Sequence, residues 1–162
     1  RLAEFDPLTG ALNRRAILTR LHVAYADARQ ARHPLAVLFL DLDHFKLVND
    51  GHGHATGDRV LAAVAATMQG ELRELDWLGR CGGEEFLVVL PDAAEPVARA
   101  IAERIRAGVA GLEIEQAGAP LRATVSVGVA MLDETTPSAE ALVEHADSAL
   151  YDAKARGRNR VV

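Results

Sequence analysis

The sequence predicts an α/β (α+β) sandwich, a central and largely antiparallel sheet flanked by helices, on three observations. Apolar segments of helical and of strand type alternate along all 162 residues. Leu35 to Leu40 is an unbroken apolar run, as expected of a strand covered on both faces. Two further apolar runs flank Gly82-Gly83, which reads as a hairpin and so as an antiparallel pair. The resulting order is helix, strand, helix, two paired strands, helix, strand, helix, which suits a layered arrangement.

In chain order, Asn13 to about Arg32 carries Ile17, Leu18, Leu21 and Tyr25 at helical spacing, and Pro34 follows as a stop signal. The run Leu35 to Leu40 is the central strand, and Asp41 brings its end out at a polar site. Between Thr56 and about Gln69, Val60, Leu61, Val64, Ala65 and Met68 form one stripe, with Asp58 in the first turn, where the helix dipole favours an anion. Trp77 to Cys81 and Phe86 to Leu90 are the hairpin strands. The two glycines between them are expected to supply positive φ, setting Glu84 and Glu85 near the tip. Val97, Ile101 and Ile105 mark a third core helix, and Arg122 to Leu132 alternates Val125, Val127, Val129 and Met131 with small or polar residues. The last stripe is Leu142, Ala146, Ala149, Leu150 and Ala153, ending near Gly157, and Val161-Val162 are expected to add a closing strand.

With 49% hydrophobic and 25% charged residues, the composition is that of one globular domain over residues 1–162. A chain of this length buries roughly two-thirds of its unfolded surface, so it needs no staples. Cys81 is the only cysteine, which excludes an intrachain disulfide and a cysteine-rich zinc site and suits a reducing, cytoplasmic setting. The run Val60 to Ala66 falls far short of the about 20 apolar residues of a spanning helix, so no membrane contact is expected. A formal charge of −5 argues against a domain that grips a nucleic acid polymer through its phosphates, while leaving room for a small anionic ligand. Only two of the 18 basic residues are lysines, Lys46 and Lys154, so each raises a local question.

Asp41 and Asp43 follow the buried run at a spacing of two, so on an extended backbone they point to one side. If the hairpin pairs beside that strand, Glu84 and Glu85 join them. Such oxygen-rich clusters are normally neutralised by divalent cations, and Mg²⁺ is typically held by one or two carboxylates with substrate phosphates, which points to phosphoryl or nucleotidyl transfer. Singly, each feature is equally an ordinary strand end or a solvated hairpin. Jointly they favour a metal and nucleotide site, because Gly82 and Gly83 leave the backbone open to a base or phosphate.

Gly82-Gly83-Glu84-Glu85-Phe86 resembles the signature of the GGDEF domain, the diguanylate cyclase family, in its GGEEF variant. The opening Asp6-Pro7-Leu8-Thr9-Gly10-Ala11-Leu12-Asn13-Arg14-Arg15 is similar to that family's DxLTGLxNRR block. Asp41-Leu42-Asp43-His44-Phe45-Lys46-Leu47-Val48-Asn49-Asp50 is similar to DxDxFKxxND, and Gly53-His54-Ala55-Thr56-Gly57-Asp58 continues it. Ala149-Leu150-Tyr151-Asp152-Ala153-Lys154-Ala155-Arg156-Gly157-Arg158-Asn159-Arg160-Val161 resembles the closing ALYxAKxxGRNRV. His52 and Cys81 depart from the pattern. The resemblance spans essentially the whole chain.

The resemblance implies a palm-like sheet similar to nucleotidyl cyclases and polymerases, and an enzyme that condenses two GTP into cyclic di-GMP with release of two pyrophosphates. It implies that Asp41, the Leu42 carbonyl, Glu84 and Glu85 hold Mg²⁺, or Mn²⁺ in its place, with Glu84 also the base for the 3′-hydroxyl. Asn49 and Asp58 would read the guanine edge, and His54, Phe45 and the bare backbone at Gly83 would border the substrate. Lys154 and Arg158 would reach the β and γ phosphates, with Lys46 a further candidate. By position alone, Lys154 reads as a helix-end charge and Lys46 as a solvated one. His22, His33, His44 and His145 show no ligand spacing.

One such domain presents one GTP, so the resemblance implies a homodimer with two half-sites face to face. It also implies the C-terminal output domain of a longer protein, with a sensory or dimerising region upstream that could be tethered to a membrane. Arg73-Glu74-Leu75-Asp76 stands where the family carries its RxxD site for inhibition by product, and Arg104 is the candidate to complete it; alone, Arg73 and Asp76 read as a helix-end ion pair. The alternatives are a catalytically silent receptor for GTP or cyclic di-GMP and a cyclase making another cyclic dinucleotide.

Overall fold

Burial on both faces, the property read from Leu35 to Leu40, puts that strand in the middle of the sheet. The computed structural model describes residues 3–162. Its elements are α1 (Arg14–Ala31), β1 (Leu35–Leu42), α2 (Phe45–His52), α3 (His54–Gly70), β2 (Trp77–Arg80), β3 (Glu85–Pro91), α4 (Glu95–Ala110), β4 (Val125–Met131) and α5 (Ala139–Ala155). The sheet runs β2-β3-β1-β4 with every pair antiparallel.

Strand alternation sorts the core into two layers. Ala36, Leu38, Leu40, Phe86, Val88, Val125 and Val127 face α2, α3 and α4, while Leu35, Val37, Leu87, Val89 and Ala130 face α1 and α5. Gly128 shows how tightly the second layer closes: a Cβ there would stand 2.1 Å from the Ala146 carbonyl oxygen of α5 and 2.4 Å from the Leu150 nitrogen. Asn13 caps α1 by accepting from the Ala16 N–H at 2.9 Å, and Ser138 caps α5 by accepting from the Ala141 N–H at 3.0 Å.

The structure corrects the sequence reading at several points. β1 continues through Leu42, because Asp41 pairs with Glu85 and Ser126, and Leu42 with Val125. α2 has no counterpart in the reading: it is 8 residues long and buries only Phe45, too little for a periodicity to show. Gly53, at φ 88°, separates it from α3. Gly82 and Gly83 do not adopt positive φ. β2 ends at Arg80 and β3 starts at Glu85, and Cys81 N–H donating to the Glu85 carbonyl at 2.8 Å closes the loop between them. In α4 the buried face is Ala98, Ile101, Ala102, Ile105 and Val109, and Val97 is 42% exposed. Val161 makes a single parallel bridge to Val127 rather than a strand, which still covers part of the free edge of β4. Among the described residues, no helix is long and apolar enough to cross a membrane.

Gly128→Ala is expected to lower the unfolding free energy by about 2–3 kcal/mol, since the clash is with helix backbone that cannot rotate away. Urea denaturation should show a lower midpoint at an unchanged slope.

Candidate active site

The polar end of β1 lies between β3 and β4, and the register decides which side chains meet there. Asp41 is directly opposite Glu85 on one side and Ser126 on the other. The Leu42 N–H donates to the Glu84 carbonyl at 3.3 Å, which holds the signature loop against the end of the central strand. Asp41 is 6% exposed, and Lys154 of α5 donates to its Oδ2 at 2.5 Å. Its Oδ1 is buried without a partner, a property shared among the described residues only by Asn49 Oδ1. Leaving a buried acceptor unmatched costs about 1–3 kcal/mol, so both atoms call for a donor or a cation.

Burial, followed by the negative charge of Asp41, raises the Glu84 carboxyl above the ordinary glutamate range; Lys154 opposes the shift and Glu85 adds to it. The Glu85 side chain lies back over Gly82, where a Cβ would stand 2.8 Å from its Oε1. A Cβ at Gly83 would meet nothing within 4 Å, so the backbone there is open to an approaching group. Among the described residues no three Asp, Glu, His or Cys side chains form a ready-made metal cage.

Asp43, which the spacing groups with Asp41, does different work. Its carboxylate accepts from Thr124 Oγ1 at 2.7 Å, Ser126 Oγ at 2.7 Å and the Asn159 N–H at 3.0 Å. It is therefore saturated, and it pins the loop that follows α5. Gly157, Arg158 and Asn159 all have positive φ there (117°, 64° and 48°), turning the chain back toward the sheet with Arg158 exposed at the bend.

Asn49 lies on α2 against Gly57 of α3, and Phe45 packs beneath both as a core residue 8% exposed. His54 and Asp58, one turn apart at the start of α3, are exposed, as is Lys46 on α2. His52 Nδ1 lies 2.6 Å from Gln116 Nε2. Arg73 and Asp76 are bound to each other: the guanidinium donates to Asp76 Oδ1 at 2.7 Å and to the Pro91 carbonyl at 2.7 Å, and the Asp76 side chain is fully buried. Arg104 of α4 contacts Glu71, two residues before Arg73, at 3.5 Å.

The sequence assigns no role to Arg80 and places Asp6 only within the opening motif, yet both support the site. Arg80 donates to the Gly83 carbonyl at 2.8 Å and to Asp6 Oδ2 at 3.1 Å, tying the signature loop to the opening turn. Burial works against ionisation of Asp6, yet hydrogen bonds from Thr9 and Arg80 hold its carboxyl below the usual range. A pairing across 74 residues leaves no local pattern to find.

The family model for the GGDEF domain of diguanylate cyclases matches residues 3–160. The diguanylate cyclase DgcP of Pseudomonas aeruginosa is 42% identical over 156 residues, covering 96% of this chain and 23% of that protein. The chain thus spans about a quarter of that relative's length. The crystal structure of the GGDEF domain of DgcB from Caulobacter crescentus in complex with c-di-GMP superposes with a TM-score of 0.95 at 36% identity, covering 100% of this chain and 96% of that one. The active GGEEF domain of a diguanylate cyclase from Vibrio cholerae gives 0.87 at 35% identity, with coverage of 92% and 94%.

Glu84→Gln is expected to raise the melting temperature at neutral pH, because a carboxyl with a raised folded pKa is a net cost while ionised. The folded state binds this proton more tightly than the unfolded chain does. The difference should therefore shrink as pH falls through the folded value, which thermal melts at neutral and mildly acidic pH would read.

Proposed function

The chain belongs to the GGDEF, diguanylate cyclase family, and on that premise we propose that it condenses two GTP into cyclic di-GMP, releasing two pyrophosphates. The observation that carries the reading is Asp41, with its buried unpartnered Oδ1, meeting Glu84 and Glu85 where Lys154 also arrives. The relatives at about this level of similarity include proteins named for that activity and an active domain with the same GGEEF spelling. Glu84 keeps the carboxylate of the family's aspartate.

Asp41, the Leu42 carbonyl, Glu84 and Glu85 fit a divalent cation: hard oxygen donors, one of them orphaned, and a glutamate destabilised by neighbouring charge. Bound there, Mg²⁺ or Mn²⁺ would lower the proton affinity of the 3′-hydroxyl and offset charge on the phosphoryl oxygens. Lys154 and Arg158 bind the β and γ phosphates, with Lys46 available from α2 and the open backbone at Gly83 admitting the nucleotide. Asn49 and Asp58 hydrogen-bond the guanine edge beside His54, with Phe45 supporting the floor. Glu84 takes the 3′-hydroxyl proton. The 3′-oxygen of one GTP attacks the α-phosphorus of the other, and the bond to the β-phosphate breaks to release pyrophosphate.

Each domain holds one nucleotide, so the reaction requires a homodimer with the two half-sites opposed. An upstream sensory or dimerising region in a longer protein would set that geometry. Arg73, Asp76 and Arg104 form the proposed inhibitory site for cyclic di-GMP. Arg73 is the residue with hydrogen-bonding capacity to exchange, its side chain being 30% exposed, whereas Asp76 serves by orienting it.

Glu84→Ala in a chain dimerised by a fused coiled coil is expected to lose synthesis by more than about a hundredfold with its circular dichroism unchanged. Chromatography of products from GTP and Mg²⁺ tests it, and wild-type output from the variant would remove Glu84 from the mechanism. Arg73→Ala is expected to raise the concentration of cyclic di-GMP needed for half-inhibition by about tenfold or more; an unchanged inhibition curve would refute the regulatory assignment.

A further inference from the structure

We infer that Asp43 is a positioning residue for the triphosphate: it holds the bend after α5 that carries Arg158, and it does so as a hydrogen-bond acceptor rather than as a ligand to a cation. The inference rests on the phosphate role proposed above for Arg158.

Arg158 is exposed, so its direction is set by the backbone that carries it rather than by packing of its own side chain. That backbone is unusual. Arg158 and Asn159 follow Gly157 with φ of 64° and 48°, two successive non-glycine residues in the left-handed region, which L side chains avoid for steric reasons. Such a conformation persists only where the surroundings fix it. At one end of the bend the Arg158 N–H donates to the Ala153 carbonyl of α5 at 3.0 Å, and at the other the Arg160 carbonyl accepts from the Val127 N–H of β4 at 2.9 Å. Between these ties two contacts hold Asn159. Its side-chain Oδ1 accepts from Arg106 of α4 at 2.9 Å, an exposed bond. Its N–H donates to Asp43 Oδ2 at 3.0 Å, and Asp43 is only 7% exposed.

Asp43 is itself rigidly placed. It directly follows Leu42 at the end of β1, and its own N–H donates to the Thr124 carbonyl at 2.9 Å. The Thr124 and Ser126 hydroxyls donate to Oδ2 and Oδ1 at 2.7 Å each, which fixes the plane of the carboxylate. Hydrogen bonds to a carboxylate are stronger than those between neutral groups, so of the two anchors on Asn159 the buried one dominates. Lys154 stands four residues before Arg158 and is held separately, by Asp41. Loosening the bend therefore moves one of the two proposed phosphate ligands and leaves the other in place.

The test titrates α,β-methylene GTP and GMP, each with Mg²⁺, into wild type, Asp43→Ala, Asp43→Asn, Arg158→Ala and the double alanine variant, following amide chemical shifts. Asp43→Ala should weaken the triphosphate analogue by about tenfold or more, and GMP, which has no β or γ phosphate, by less than about twofold. Added to Arg158→Ala, it should weaken binding by less than about a further twofold, because the group it positions is gone. Asp43→Asn should stay within about threefold of wild type: the amide oxygen takes the place of Oδ2, and the NH₂ faces the Ser126 hydroxyl, which turns to accept. Asp43→Ser, whose hydroxyl lies closer to the backbone and falls short of the Asn159 N–H, repeats the alanine experiment with less disturbance of the core and should show the same loss for the triphosphate alone. Unaltered triphosphate binding by the alanine or serine variant, equal losses for both nucleotides, a full additional loss in the double variant, a loss in Asp43→Asn as large as in Asp43→Ala, or failure of the serine variant to fold would each overturn the assignment. Wild-type binding by Arg158→Ala would instead overturn the phosphate site, and this inference with it.

Discussion

The antiparallel register of β1 against β3 is the constraint on which the polar end of this molecule depends. It sets Asp41 opposite Glu85 and brings the Leu42 N–H to the Glu84 carbonyl. Because side chains alternate with a period of two, a slip of one residue would turn Asp41 into the apolar layer under α3 and α4. The buried rows Leu38, Leu40, Phe86 and Val88 on one face and Val37, Leu87 and Val89 on the other forbid that slip. The apolar core thus dictates where the carboxylates stand, and their mutual repulsion is carried by packing rather than relieved by it.

Neighbouring carboxylates show how differently that cost is handled. Asp43 is saturated by two hydroxyls and a backbone N–H and fastens the loop after α5. Asp41 keeps one buried oxygen unmatched, and Glu84 holds its proton more tightly than an exposed glutamate does. Satisfied groups build the frame, while strained groups collect where a ligand would complete them, the usual relation between stability and a functional site. Lys154 joins the two halves of the arrangement, since α5 is held down by the close approach at Gly128 and its last turn delivers the ammonium to Asp41.

Much of this was legible beforehand. The long stripes of α1, α3 and α5 repeat often enough for a helical period to emerge, and six consecutive apolar residues identify a strand buried on both faces. The opening, central, signature and closing motifs carried the family resemblance and so the candidate residues. α2 escaped notice because eight residues with one buried side chain contain no period. The glycine pair was expected at positive φ, which Gly82 and Gly83 do not adopt, because residue type alone does not report the dihedral angles of a loop. The pairing of Arg80 with Asp6 was missed because charges 74 residues apart carry no pattern until folding joins them.

By itself the sequence determined the layer architecture, the ends of the chief elements and the chemical inventory: which carboxylates, amides and cations exist and in what order. Only the tertiary structure decided how they are spent. It separated Asp41 from Asp43, made Arg73 and Asp76 an internal pair, and set Gly57 against Asn49. The physical reason is range. Periodicity and turn chemistry act over a few residues and are written locally, whereas the partner of a buried polar atom is chosen by packing that brings together segments up to 116 residues apart.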